Sequence, residues 1–135
     1  NLDSMYNMSQ PLFDTMCGRG FGRIVNISSL NGEKGQFGQA NYSAAKAGIY
    51  GFTKAIAQEG ARKGVTVNAV SPGYIDTPMV RQVPENVLNA IVDGIPVGRL
   101  GQPEEIARAV AFLTAEDAGF ITGTNLSVNG GQYMS

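Results

Sequence analysis

The sequence predicts an α/β fold built on a parallel sheet, and three observations carry that reading. Two runs rich in β-branched residues, Arg23-Ile-Val-Asn-Ile-Ser-Ser29 and Val65-Thr-Val-Asn-Ala-Val-Ser71, have the near-continuous apolar character of strands buried on both faces. Each is followed by a segment with helical apolar spacing, too long for a hairpin and long enough for a right-handed crossover. A third run, Asn125-Leu-Ser-Val128, completes an alternation of strand and helix.

Taken in order, the first element is a helix from Asn1 to Met16, with Leu2, Met5, Tyr6, Leu12, Phe13 and Met16 at helical spacing. Pro11 lacks an N–H and is expected to kink or interrupt it. Gly18, Gly20 and Gly22 precede a strand rather than follow one, so they read as a turn and not as a phosphate-binding loop. After the first strand, a polar, glycine-bearing loop is expected from Leu30 to about Gln39. A helix over roughly Asn41 to Lys63 carries Ala45, Ile49, Phe52 and Ile56 on one stripe and stops at Gly64. The second strand ends at Pro72-Gly73, and helical stretches are expected from Asp76 to Arg81 and from Pro84 to Asp93. The last helix starts near Pro103, with Glu104 and Glu105 in its first turn where the dipole favours anions, and runs through Ile106, Val110 and Leu113.

With 135 residues the chain has one domain's worth of length. Ten basic and eleven acidic side chains give a net charge of −1 and no electrostatic footprint for nucleic acid or an anionic membrane. No apolar stretch approaches the roughly 18 residues that span a bilayer. The absence of histidine removes Ser-His and Cys-His nucleophiles and most zinc sites, and no metal set is read here. Cys17, the one cysteine, forms no internal disulfide and reads as an incidental thiol, which fits a reducing, cytoplasmic setting. The chain opens in a helix without an initiator Met or a leader, so an upstream half is expected.

Ligands of parallel α/β sheets sit beyond the carboxyl ends of the strands, here Ser28-Ser29 and Ser71-Pro72-Gly73. Acid–base work falls to Tyr, Lys, Asp or Glu, and Tyr42 with Lys46 stands at i, i+4 on one helix face. A neighbouring ammonium favours phenolate, which makes such a pair an acid–base unit. Tyr50 and Lys54 repeat the spacing about 80° around the helix. Ser29 lies thirteen residues before Tyr42, whereas Phe37 holds the corresponding place before Tyr50. The first pair is therefore favoured; Tyr50 is expected to be an ordinary contact, and Tyr50→Phe to have little catalytic effect.

Ser29 with Tyr42-x-x-x-Lys46, set in Gly-Arg-Ile-Val-Asn-Ile-Ser-Ser29, Asn41-Tyr-Ser-Ala-Ala-Lys-Ala-Gly48 and Val67-Asn-Ala-Val-Ser-Pro-Gly73, resembles the short-chain dehydrogenase/reductase family. Thr122-Gly123 and Asn129-Gly-Gly131 look like its carboxyl-terminal strand region. The resemblance implies a Rossmann-like, doubly wound parallel sheet. Residues 1–135 would be the carboxyl-terminal catalytic and substrate-binding part of a single domain, about three strands with helices. It implies that Tyr42 protonates a carbonyl oxygen as hydride arrives from a nicotinamide. Lys46 would hold ribose hydroxyls, Ser29 would hydrogen-bond the carbonyl oxygen, and Asn1 would support a water-linked relay to the lysine. Pro72, Gly73, Ile75 and Thr77 match the loop along the nicotinamide side of the cofactor, beside Tyr42 and Lys46. The pyrophosphate-binding glycine turn and the residue that selects NAD or NADP have no counterpart in this sequence. NADP is the expected cofactor, with NAD left open.

Gln36-Phe37-Gly38-Gln39 and Tyr74 resemble one group of that family, the acetoacetyl-CoA reductases of polyhydroxybutyrate synthesis, in which such side chains border the acyl pocket beside Ser29. The implied reaction is reduction of acetoacetyl-CoA, a short 3-oxoacyl-CoA, to the (R)-3-hydroxyacyl-CoA. The alternatives are a 3-oxoacyl-acyl-carrier-protein reductase and an inactive module that pairs with intact subunits. Residues 74–101 are expected to form a mobile cap. Lys34, Arg81 and Arg99 are cations for coenzyme A phosphates or else solvated charges. A homotetramer is implied. Phe112, Leu113 and Phe120 would face either another subunit or the monomer core.

Overall fold

The structure is a computed structural model and describes residues 2–134. The elements are α1 (Leu2–Arg19), β1 (Gly22–Ile27), α2 (Leu30–Lys34), α3 (Ala40–Gly60), β2 (Val65–Pro72), α4 (Glu85–Asp93), α5 (Pro103–Thr114) and β3 (Asn125–Val128). Single 3₁₀ turns occupy Ala61–Lys63 and Val80–Gln82. The three strands form one parallel sheet in the order β1-β2-β3, the α/β arrangement expected. Gly22 pairs with Val65 through to Ile27 with Val70, and Ala69 pairs with Asn125 through to Pro72 with Val128.

β2 is the spine of the sheet: Val65 through Ser71 are all buried. Val65 and Val67 pack with Ala57 of α3, and Phe13, Met16 and Ile24 close over that cluster. The buried asparagine of each of these two strands is paired, as burial demands. Asn26 Nδ2 donates to Thr53 Oγ1 at 3.0 Å, and Asn68 Nδ2 donates to the Ile121 carbonyl at 2.9 Å. Arg23 caps the carboxyl end of α5, its guanidinium donating to the carbonyls of Ala115 and Glu116. Gly64 ends the α3 segment in the left-handed region at φ 73, where a Cβ would also run into the Gly20 carbonyl oxygen.

Four expectations are corrected. α1 runs without a break through Pro11 to Arg19. The proline is exposed, so the Asn7 carbonyl that loses its helical partner faces water rather than the core. β1 is half-buried rather than covered on both faces, because among the described residues it is an edge strand. It also ends at Ile27, and Ser29 leaves the sheet to cap a helix, α2, in the stretch read as a loop. Asp76 to Arg81 forms only a 3₁₀ turn at its end, since Pro78 pushes Thr77 out of the helical region. Leu113 lies in the core at 1% exposure, whereas Phe112 and Phe120 stand on the surface.

Candidate active site

Three consecutive residues at the end of β1 are tied to α3. Lys46 Nζ donates to the Ile27 carbonyl at 3.0 Å, and Ser28 Oγ donates to the Lys46 carbonyl at 2.8 Å. The Tyr50 hydroxyl donates to the Ser29 carbonyl at 2.9 Å. Gly32 seats α2 directly on α3: a Cβ there would stand 2.8 Å from both the backbone carbon and the Cβ of Lys46. These contacts fix Ser29 relative to the helix that carries Tyr42.

Ser29 is the N-cap of α2, with φ −165 and ψ 150, and its Oγ accepts from the Asn31 N–H at 3.2 Å. With the oxygen so engaged, the hydroxyl proton is available to an outside acceptor. Tyr42 is 36% exposed, and Lys46 Nζ lies 5.8 Å from its ring centroid, within cation–π range. Ser29, Leu30, Asn31, Gln39, Tyr42, Pro72, Gly73, Tyr74 and Met79 line one cleft of about 460 Å³ at the carboxyl ends of β1 and β2. Gln39 enters it with its Oε1 already accepting from Asn31 Nδ2 at 3.1 Å, so its amide N–H groups remain to donate.

The structure thus brings Ser29, Tyr42, Gln39, Pro72, Gly73 and Tyr74 to one cavity, with Lys46 beside Tyr42. Gln36 and Phe37 stand outside that lining, and the Phe37 side chain is fully exposed. Ile75 lines a neighbouring cavity of about 110 Å³ that shares Tyr74. Thr77 accepts from the Val80 N–H at 3.4 Å and the Arg81 N–H at 3.0 Å, opening the 3₁₀ turn. Asn1 lies outside the described residues. Arg81 and Arg99 already hold carboxylates: Arg81 grips Asp76 at 2.6 and 2.7 Å, and Arg99 grips Glu105 at 2.8 Å twice. The Arg81 hydrogen bonds hold the Asp76 carboxyl below its ordinary range. Arg99, with the Gln102 N–H behind it, takes Glu105 down to about 2. Lys34 is exposed.

Sequence reasoning missed Asn31 and Met79, which come to the cleft with α2 and with the turn before Val80. It also took Tyr50 for an ordinary contact, although its hydroxyl reaches both Ser29 and Ser71. The signal for α2 was a serine at a strand end, in the position that favours an N-cap.

A family model described as "Enoyl-(Acyl carrier protein) reductase" matches residues 1–133. The chain belongs to the short-chain dehydrogenase/reductase family. It is similar to an acetoacetyl-CoA reductase of Rhizobium meliloti, 67% identical over all of this chain and 56% of the relative. An acetoacetyl-CoA reductase of Cupriavidus necator is 60% identical over 99% of the chain and 54% of its own length. A 3-oxoacyl-acyl-carrier-protein reductase of Pseudomonas aeruginosa is 50% identical over the whole chain and 55% of the relative. The chain therefore spans about half the length of the curated relatives it matches.

The residues present suit the nicotinamide end of a dinucleotide. The cleft opens at strand carboxyl ends, with Pro72 and Gly73 on one wall and Tyr42 on another, and Lys46 holds an ammonium beside that phenol. A nicotinamide cofactor follows from the family. No helix among the described residues is long and apolar enough to cross a membrane.

Proposed function

We propose that residues 1–135 are the carboxyl-terminal catalytic and substrate-binding part of an NADP-dependent acetoacetyl-CoA reductase. Its product would be the (R)-3-hydroxyacyl-CoA that polyhydroxybutyrate synthesis consumes. The observation that carries the reading is the shared cleft of Ser29 and Tyr42, in which one hydroxyl has its oxygen already engaged and its proton to give. Pro72 and Gly73 would hold a dihydronicotinamide, which when bound would supply the hydride. Tyr42 delivers its phenolic proton to the ketone oxygen, so that the carbonyl gains one hydride and one proton and becomes the alcohol. Ser29 donates a hydrogen bond to that oxygen as its charge develops. Lys46, beside the Tyr42 ring, offers its ammonium to ribose hydroxyls. Gln39 has amide N–H groups for the thioester carbonyl, and Tyr74 and Met79 supply an apolar wall for a short acyl chain. Ile75 and Thr77 extend the cofactor loop, Asn1 would support a water-linked relay to Lys46, and Gln36 and Phe37 border the acyl pocket only if the complete protein draws them to the cleft.

The complete protein is proposed to be a cytoplasmic homotetramer, a reading supported by exposed Phe112 and Phe120 and by the outer edge of β3. A second reading, reduction of the acyl-carrier-protein thioester, is favoured by the Pseudomonas aeruginosa relative. Rates on the full-length protein with acetoacetyl-CoA and with an acyl-carrier-protein thioester, each with NADPH and NADH, separate the readings. Acetoacetyl-CoA with NADPH is expected to be fastest. A preference for the carrier-protein thioester would move the assignment to the second reading, and no reduction of either would overturn both. Saturable NADPH binding by the isolated 135 residues is not expected, because the pyrophosphate-binding turn has no counterpart among them.

A further inference from the structure

We infer that Tyr50 is a positioning residue for Ser29, acting through a chain of hydroxyls that crosses the sheet to β3; the inference rests on the reading of the cleft given above. Tyr50 lies about two turns beyond Tyr42 on α3 and is half-buried. Its Oη stands 2.9 Å from the Ser29 carbonyl oxygen and 2.8 Å from Ser71 Oγ. Ser71 is fully buried on β2, and its Oγ stands 2.8 Å from the side-chain amide of Asn125 at the start of β3. Three contacts of hydrogen-bond length thus connect the end of β1 to α3, β2 and β3 in turn.

The protons determine which way the chain runs. As placed, Asn125 turns its Oδ1 to Ser71, and two hydroxyl protons then serve three oxygen–oxygen contacts, one too few. The two ends of an amide are alike in shape, and with Nδ2 toward Ser71 every contact has its proton. Asn125 then donates to Ser71, Ser71 to Tyr50, and Tyr50 to the Ser29 carbonyl. The sequence of donors ends on the residue that faces the cleft.

Ser29 depends on that last bond. Its carbonyl accepts from two donors, the Gly32 N–H at 2.9 Å and Tyr50 Oη, while its Oγ is held by one donor, the Asn31 N–H at 3.2 Å. Removing the Tyr50 hydroxyl frees one of the two anchors that fix the Ser29 peptide plane, and with it the direction in which Oγ points. Phenylalanine fills the same space, and Tyr42 keeps its place on the helix.

In the full-length protein, Tyr50→Phe should lower kcat for the ketone about tenfold, equivalent to about 1.4 kcal/mol in the barrier. The KM for the nicotinamide and the Tm should stay near wild type, a split that a general loss of structure would not give. On a Ser29→Ala background the same change should cost less than about twofold, because the residue it acts through is gone. Ser71→Ala, which leaves the Tyr50-to-Ser29 bond in place, should cost less than Tyr50→Phe. Equal losses in the two backgrounds would overturn the inference, as would a normal kcat for Tyr50→Phe in a protein that Ser29→Ala cripples. Full activity in Ser29→Ala would instead bring down the reading of the cleft, and the inference with it.

Discussion

The seam between β1 and α3 and the segment from Tyr74 to Gly101 both border the cleft, and they are held by opposite means. In the seam, backbone carbonyls and hydroxyls of Ile27, Ser28 and Ser29 bond to Lys46 and Tyr50, next to a strand in which Val65 through Ser71 are buried. In residues 74–101, all of them described, only Ile95 is buried. That segment is closed at its neck by two backbone bonds, Asp76 N–H to Gly101 and Gly101 N–H to Tyr74, and latched by the exposed pairs Asp76–Arg81 and Arg99–Glu105. Exposed ion pairs are weak and salt-sensitive. The contrast assigns rigidity to the seam and low local stability to residues 74–101.

The largest expected effect tests the rigid half. Tyr42→Phe in the full-length protein should leave nicotinamide affinity close to wild type and lower kcat by about 10²–10⁴-fold, the range of one general acid. A kcat near wild type would remove Tyr42 from the proton transfer.

A smaller effect sharpens the packing argument. Gly32→Ala gains helix propensity worth about 1 kcal/mol. It also drives a Cβ to 2.8 Å from the Lys46 backbone, which cannot swing aside. We expect a net loss of up to about 2 kcal/mol in urea unfolding, since overpacking costs about 1–3 kcal/mol, together with a lower kcat. A stabilised, fully active variant would show that α2 is not seated as tightly as the seam requires.

The smallest effect tests the latch. Both carboxylates titrate below their ordinary range in the folded chain, Asp76 held down by Arg81 and Glu105 at about 2. Such groups add stability that is complete above the unfolded carboxylate range and disappears as pH falls through the folded value. Glu105→Gln should therefore lower the Tm slightly at neutral pH, with the gap to wild type closing as pH falls from the ordinary carboxylate range toward about 2. A gap that widens in acid would contradict the latch.

How much was legible in the sequence depends on whether a signal was local. The run from Val65 to Val70 marks a buried strand by itself, and Gly64 ends the preceding helix by itself. Tyr42 and Lys46 could be paired from their spacing, and the structure sets them together. Leu30-Asn-Gly-Glu-Lys34 has too few residues to show a period; it is helical because Ser29 caps it and Gly32 lets it lie on α3. Tyr50 was hidden for a geometric reason. It sits well around the helix from Tyr42, but the Ser29 carbonyl and the Ser29 hydroxyl have different partners, Tyr50 for one and the Asn31 N–H for the other. One residue can therefore be held by two stripes of α3, which a rotation angle alone does not reveal.

The central claim is that two hydroxyls meet on one oxygen. A crystal structure of the full-length protein with NADP and an unreactive 3-oxoacyl thioester analogue tests it directly. The ketone oxygen should lie within about 2.6–3.2 Å of both Ser29 Oγ and Tyr42 Oη. A ketone bound outside the reach of either hydroxyl would contradict the account.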